Sequence, residues 1–290
     1  MSDLRVALLV SRVRVEEKML AAAFARIGVE AEMVDVRRLV FEVGAPPRSW
    51  DVVLDRCQQA SLSLPALRLL GDAGVRTVNA AEVVAACADK VSTTSLLAAA
   101  AVAVPRTLVA FSPEGALTAV EAVGYPAVIK PPVGSWGRLL ARVHDRDAAE
   151  AVLEHKSTLG GVSHNVYYVQ THVRKPGRDI RAFVVGSEVI CAIDRESAHW
   201  VTNTARGAVA RGRDVTREIA DLSLRAAHAV GGGVLAVDLL EDGERLLVSE
   251  VNHSMEFRNS VPVTGVDIAA RVAEYVIGVA QRVTAVAVTA

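Results

Sequence analysis

VLAVDLLEDGERLLVSEVN, residues 234–252, places two apolar runs on either side of the turn-forming residues Asp-Gly-Glu and reads as a β-hairpin. Each run carries one carboxylate, Asp238 and Glu250, and the second run ends in Asn252. A carboxylate inside an apolar strand is costly unless it is paired or holds a metal, so both need partners. If the loop is Gly243, Glu244 and Arg245, the two carboxylates lie equally far from Glu244 and face each other. A two-residue loop at Asp242 and Gly243 sends them to opposite faces instead. Asn252 shares the face of Glu250. Two carboxylates and an amide oxygen form a hard-oxygen set of the kind that holds Mg²⁺ on nucleotide phosphates, with neutralisation by nearby arginines as the alternative.

Upstream of this hairpin the chain alternates strand and helix. LRVALLV, EEKMLAAAFARIG closed by Gly28, AEMVDV, DVVLDR and SLPALRLLGDAG give the βαβ rhythm of a small parallel sheet. From about residue 85 the pattern changes. VSTTSLLAAAA reads as a helix and VPRTLVA as a strand. SPEGALTAVEAVG reads as a helix with Ser112 as N-cap, Pro113 at its first position and Gly124 past its end. YPAVIKP and LLARVH are strands joined by PVGSWGR. A third region opens near residue 166 with VYYVQTHV and continues as a hairpin, DIRAFVVGSEVICAIDR, turning at Gly186. TREIADLSLRAAHAVGG and DIAARVAEYVIGVAQ are its helices, and VTAVAVTA is expected to be a loosely held tail.

Composition narrows the function. The 290 residues are enough for two or three domains, and 51% hydrophobic but only 4% aromatic residues imply a core of Ala, Val and Leu in buried strands. Thirty-two basic against 33 acidic residues argue against non-specific attraction to nucleic acid or membrane. Cys57, Cys87 and Cys191 are odd in number and widely spaced, as in a reduced, cytoplasmic protein, and no signal or spanning segment is evident. The alanine-rich helices suggest a homo-oligomer.

Basic residues precede the acidic hairpin in a consistent order. Lys130 ends the apolar strand AVIK, and the following GSWG offers Ser135 and backbone N–H groups to phosphate oxygens. Trp136, between Gly134 and Gly137, suits a lid better than a core. Lys90 opens a helix, an unfavourable place for a cation unless an anion is also there. Asp179, Arg195 and Arg206 follow. For each of these residues alone, a solvated side chain is the competing explanation.

That order and wording resemble the ATP-grasp superfamily and, within it, the RimK-like branch that includes LysX-type ligases. The resemblance is carried by DKVSTTSLLAAAAVAVPRT, YPAVIKPPVGSWGRLLARV, YYVQTHVRKPGRDIRAFVVG, WVTNTARGA, AVDLL and SEVNHSMEFRNSVPVTGVDIA, nearly the whole chain from residue 89 to 270. It implies an α/β and α+β ATP-grasp fold. A pre-ATP-grasp α/β domain would span 1–85, a central subdomain with the Gly-rich loop 86–165, and a C-terminal antiparallel-sheet subdomain 166–283. It also implies an ADP-forming ligase in which a carboxylate attacks the γ-phosphate of ATP and an amine displaces phosphate from the acylphosphate.

Residue by residue, Lys90 and Lys130 would contact the phosphates, Gly134, Ser135, Trp136, Gly137 and Arg138 would close over them, and Asp179 would bind the ribose, with Arg181 also on the nucleotide side. The backbone of Gln170, Thr171, His172 and Val173 would read adenine, although Thr171 and His172 replace the family's usual glutamate and aromatic residue. Arg195, Asn203 and Arg206 would face the reacting phosphate, where developing negative charge needs fixed donors. Asp238, Glu250 and Asn252 would hold Mg²⁺ or Mn²⁺. His253, Ser254 and Asn259 would recognise the amino-acid substrate, with a satisfied polar residue the plainer account of His253. The implied partner is a small acidic carrier protein whose C-terminal glutamate receives 2-aminoadipate or glutamate, as in lysine or arginine biosynthesis. Arg206, Arg211 and Arg213, with Arg174, Lys175 and Arg178, would form the complementary surface. A RimK-type ligase acting on another protein or a small molecule is the second reading, and an ATP-binding protein without catalysis the third.

Overall fold

The computed structural model describes residues 4–44, 50–134, 138–161, 165–202 and 207–282. The first strands and helices are β1 (Val6–Val10), α1 (Val15–Arg26), β2 (Ala31–Asp35), β3 (Val52–Asp55), α2 (Ala60–Asp72) and β4 (Arg76–Val78). The four strands pair in parallel in the order β2-β1-β3-β4. β1 and β3 are buried at every position, as their near-continuous apolar runs require in a sheet covered on both faces. Gly28, at φ 77°, follows the end of α1 where a left-handed residue lets the chain turn back.

Two helices follow, α3 (Ala81–Ala88) and α4 (Lys90–Ala99). The sequence does not reveal α3, because AEVVAACA is apolar around most of its circumference and shows no amphipathic period. Next come β5 (Thr107–Ala110), α5 (Pro113–Val123), β6 (Ala127–Lys130), β7 (Ala141–Val143), α6 (Arg146–Leu159) and β8 (Tyr167–Thr171). These strands form an antiparallel sheet in the order β5-β8-β6-β7. α5 has the caps read from its sequence: Ser112 Oγ accepts from Gly115 N at 3.1 Å, and Gly124 has φ 82°. The expected boundary at residue 166 falls just ahead of β8, a strand that this small sheet takes as its own.

The remaining elements are β9 (Arg178–Val185), β10 (Glu188–Glu196), β11 (Val209–Arg213), α7 (Arg217–Ala229), β12 (Val234–Asp242), β13 (Arg245–Asn252), α8 (Val261–Thr264) and α9 (Ile268–Gln281). They build a five-stranded antiparallel sheet, β11-β10-β9-β12-β13. β11 occupies a segment that reads only as basic loop, and its arginines suit an edge strand exposed to water.

The β12–β13 hairpin places Asp238 opposite Glu250, as the sequence demands, but by another route. Asp242 pairs with Arg245, so the loop is the two residues Gly243 and Glu244 rather than three, and Gly243 supplies φ 63°. Leu239 pairs with Val248, and a bulge then absorbs Ser249 and restores the facing pair.

Packing divides the chain differently from its sheets. One continuous core joins Leu8, Phe24 and Leu54 of the parallel-sheet region to Phe183, Ile193, Phe257 and Val272 of the five-stranded sheet and its covering helix. The small sheet has its own core around Ala116, Val120, Ile129, Tyr167 and Val169. Cys57, Cys87 and Cys191 are buried free thiols. Among the described residues no helix is long and apolar enough to cross a membrane.

Candidate active site

A cleft runs between the small sheet and the five-stranded sheet. It collects Lys90, Lys130, Gly134, Arg138, Gln170, Thr171, His172, Val173, Asp179, Arg195, Asp238 and Glu250, which the sequence scatters over more than half of the chain. Ser135, Trp136, Gly137, Asn203, Arg206 and the tail VTAVAVTA lie outside the described residues.

The five-stranded wall is a lattice of paired charge. β9 and β12 set Arg181 directly beside Asp238, and β9 and β10 set Asp179 beside Arg195. Arg181 grips Asp238 with two bonds, Nε to Oδ1 at 2.7 Å and Nη2 to Oδ2 at 2.8 Å. Arg195 Nη2 reaches Asp238 Oδ2 at 3.0 Å, and its Nε donates to Asp179 Oδ1 at 2.6 Å. Burial alone would raise the Asp238 carboxyl, but the two guanidinium charges outweigh it and hold it at about 2. Arg195 is buried as well, yet Asp238 and Asp179 keep its proton bound more firmly than usual. Asp179 also accepts from Thr202 Oγ1 and faces Lys175 Nζ at 3.5 Å, so its carboxylate is occupied within the fold.

The small-sheet wall offers a different cation. Lys130 is buried at the end of β6, and its Nζ donates to the neutral Gln170 Oε1 at 2.7 Å. Burial pushes its ammonium down to about 8, only partly opposed by the charge of Glu250. The Gln170 amide nitrogen donates to Thr107 Oγ1 and the Tyr168 hydroxyl, so that side chain positions Lys130 rather than meeting a base. In the expected adenine hinge, Thr171 N–H goes to Arg106 O and His172 N–H to Pro126 O. Among the described residues, Val173 is therefore the hinge position whose N–H is left for a nucleobase. Trp200 joins this end of the cleft, with the Arg142 guanidinium 5.3 Å from its ring centroid and the His172 ring at 6.2 Å. Trp200 belongs to the lining without having been marked by sequence reasoning, and Lys175, read from the sequence as part of the carrier-facing surface, lines the cleft instead. The signal was a tryptophan within a recognisable segment, WVTNTARGA.

Lys90 links the two walls. Its Nζ donates to Gly134 O at 2.7 Å and lies 3.4 Å from Glu250 Oε1. The anion that its place at a helix start demands comes from the chain itself: Asp89 caps α4, accepting from Val91 N at 2.8 Å, and Glu250 is close by. The three residues read as metal ligands share one face of β12 and β13. Glu250 keeps 30% of its side chain exposed, and Asn252 Nδ2 is buried without a hydrogen-bond partner. Among the described residues no cluster of three or more histidine, cysteine, aspartate or glutamate side chains is preassembled for a metal. Asp238 follows the alternative raised from the sequence, neutralisation by arginines. The donor set is of the hard-oxygen kind that a divalent cation takes, with Asp238 ionised and Glu250 open to the cleft.

His253 and Ser254 line a second cavity with Asn252, Glu250 and Gly134. His253 Nδ1 stands 3.8 Å from Asp55 Oδ2, and neither atom has a hydrogen-bond partner. Burial lowers the imidazole to about 4 and raises the Asp55 carboxyl to about 6, so both are neutral near their contact in mildly acidic solution. The backbone here is pinned by Asn79, whose side chain donates to His253 O and Val234 O and accepts from Val234 N. Gly233 permits that clasp, since a Cβ there would meet Asn79 Oδ1 at 2.1 Å. Asn259 is not with His253 and Ser254 but in a third cavity with Arg12 and Arg258.

The basic carrier-facing surface read from the sequence is largely internal pairing. Arg178 bonds Glu241, Arg211 bonds Glu196, Arg213 meets Asp194 and Glu241, and Lys175 meets Asp179. The segment became a strand, and its arginines found carboxylates on neighbouring strands. Of those candidates Arg174 alone makes no ion pair among the described residues.

Comparison with known proteins places these features in a family. The RimK-like ATP-grasp domain matches residues 87–276, and the LysX preATP-grasp domain matches residues 6–86. The glutamate--LysW ligase ArgX of Sulfolobus acidocaldarius is 31% identical over 276 residues, which cover 94% of this chain and 98% of the relative. The alpha-aminoadipate--LysW ligase LysX of Sulfurisphaera tokodaii is 37% identical over 220 residues, or 75% of this chain and 77% of that one. A crystal structure of a RimK domain ATP-grasp protein from Sphaerobacter thermophilus superposes with a TM-score of 0.80 at 32% identity, covering 94% of this chain and all of the other.

Proposed function

The chain belongs to the RimK-like ATP-grasp family, and we propose that it is an ADP-forming ligase joining the C-terminal glutamate side chain of a small acidic carrier protein to the α-amino group of glutamate or α-aminoadipate. The observation that carries the reading is one cleft in which buried Lys130, Lys90 and the facing Asp238–Glu250 pair converge from two independently packed sheets. That is a phosphate site with a cation site beside it. The names of the relatives supply the carrier and the amino acids.

In this mechanism Lys90 and Lys130 neutralise the phosphates, and Val173 N–H, with the Arg142–His172–Trp200 wall, positions the base. A carrier carboxylate oxygen attacks the γ-phosphorus, ADP leaves, and an acylphosphate forms. The amine nitrogen then attacks the acyl carbon, loses a proton, and releases phosphate. A divalent cation, Mg²⁺ by preference, would be held by Glu250, Asn252 and one oxygen of Asp238, and would supply neutralisation of the nucleotide's phosphate charge. Arg195, on the lining of the cleft, is the described donor for charge on the transferring group, and Arg181 acts by holding Asp238. Arg206 and Asn203 remain assigned to that step by resemblance. The division at residues 85 and 165, a cytoplasmic setting and a homo-oligomer belong to the same proposal.

Incubation with Mg²⁺, ATP, a glutamate-ended acidic carrier and either amino acid tests it. ADP release that requires both carrier and amine, with the carrier heavier by one amino-acid residue, is the expected result. Release without carrier modification supports a ligase for another acceptor, and tight ATP binding without release supports a non-catalytic protein.

A further inference from the structure

β13 ends at Asn252, and the last rung of its ladder with β12 joins Asn252 to Ala236. The end of a ladder is where it opens first, so the place of Asn252 needs a further hold. Its own side chain supplies little, because Nδ2 is buried and makes no hydrogen bond among the described residues. The hold comes from the parallel-sheet domain. Asn79, directly after β4, is buried, and its side-chain amide sits just beyond the last rung. Nδ2 donates to Val234 O and to His253 O, both at 2.8 Å, and Oδ1 accepts from Val234 N at 2.7 Å. Two donors and an acceptor on one planar group are what a primary amide provides, and neither an alanine nor a serine replaces them. The same domain grips the following residues at three more points. Arg56 Nη2 donates to Met255 O at 2.9 Å, Arg14 Nη1 meets Glu256 Oε1 at 3.2 Å, and Glu16 Oε1 accepts from Arg258 N at 3.4 Å. Of these four contacts, the one made by Asn79 lies next to Asn252.

Resting on the cation site of the reading above, we infer that Asn79 is a positioning residue for the divalent cation: by holding His253 O and both backbone groups of Val234, it fixes the strand end from which Asn252 presents its amide oxygen. A group that orients a metal ligand without touching the metal is worth about 10- to 100-fold in metal affinity. The parallel-sheet domain thereby takes part in nucleotide binding, although among the described residues none before Lys90 lines the nucleotide cleft.

The test is calorimetry of a non-hydrolysable ATP analogue with the full chain, once with Mg²⁺ and once with a chelator, so that the factor by which the cation tightens binding is read without any turnover. Asn79→Ala is expected to lower that factor about 10- to 100-fold and to leave the affinity in chelator nearly unchanged. Asn252→Ala should lower it to the same extent, and the double variant should lose no more than either single one, because both act on one ligand. Asn79→Ser keeps a hydroxyl in the clasp but only one donor, and should show the same loss; it carries the test where the alanine variant does not fold. A cation factor retained in either folded variant would overturn the inference. An equal loss of affinity with and without Mg²⁺ would overturn it too, by making Asn79 a structural support of the whole cleft, as would losses from Asn79→Ala and Asn252→Ala that simply add. No carrier or amino acid is present, so a cation factor that falls as expected supports the inference even if the protein modifies no carrier. An unaltered protein whose nucleotide affinity ignores Mg²⁺ would overturn it together with the cation site.

Discussion

The two walls of the cleft carry charge in opposite ways. On the five-stranded sheet Arg181, Asp238, Arg195 and Asp179 neutralise one another at close range, and the carboxyl of Asp238 is held at about 2. On the small sheet Lys130 is as deeply buried but touches a neutral amide, and its ammonium is pushed down to about 8. The paired wall is complete without a ligand, whereas the lone lysine is stabilised once an anion arrives. Burial alone therefore does not mark a binding residue; burial without a counter-charge does.

Breaking the paired wall should have the largest effect. Asp238→Ala leaves the Arg181 guanidinium without its carboxylate and Arg195 with Asp179 alone, and is expected to cost about 3–5 kcal/mol of stability in chemical unfolding. Unfolding midpoints equal to the parent would place those charges in water and erase the contrast. Glu250→Gln separates function from fold: turnover should fall by about 10²–10³-fold, while stability changes by less than about 1 kcal/mol because its contact with Lys90 is long and partly exposed. Comparable losses in stability and turnover would make Glu250 structural. Lys130→Met should weaken ATP binding by about 10- to 100-fold and leave stability equal or higher, since a buried charge is replaced by an apolar side chain of similar length.

A smaller effect sharpens the same point. ATP recognition requires the charged form of Lys130, so affinity should be flat below about pH 8 and weaken above it, by at most tenfold per pH unit. For folding the sign is reversed. The unfolded chain holds the Lys130 proton more tightly than the native chain, so between about 8 and the usual lysine range this residue adds stability as pH rises. Lys130→Met should abolish both slopes, and slopes that persist would assign them to other groups.

Much of this was readable along the chain. The apolar runs gave the strands, Ser112, Pro113 and Gly124 gave the ends of α5, and the demand that Asp238 and Glu250 find partners led to their facing pair. The bulge at Ser249 was not readable, because the turn-length argument assumes a regular ladder. Nor was the Arg181 clamp on Asp238, which depends on the register between β9 and β12, strands far apart in sequence. β11 hid among arginines that looked like a docking surface until their carboxylates appeared on adjacent strands. α6 escaped because only Ala149 and Leu153 of its residues are buried, too thin a stripe to stand out.

The acylphosphate step is tested most directly by labelling both oxygens of the carrier's terminal side-chain carboxylate with ¹⁸O and following the phosphate released during ligation. The account predicts one labelled oxygen in each phosphate formed, carried over from the carboxylate that attacked ATP. Unlabelled phosphate, released alongside a modified carrier, would contradict it.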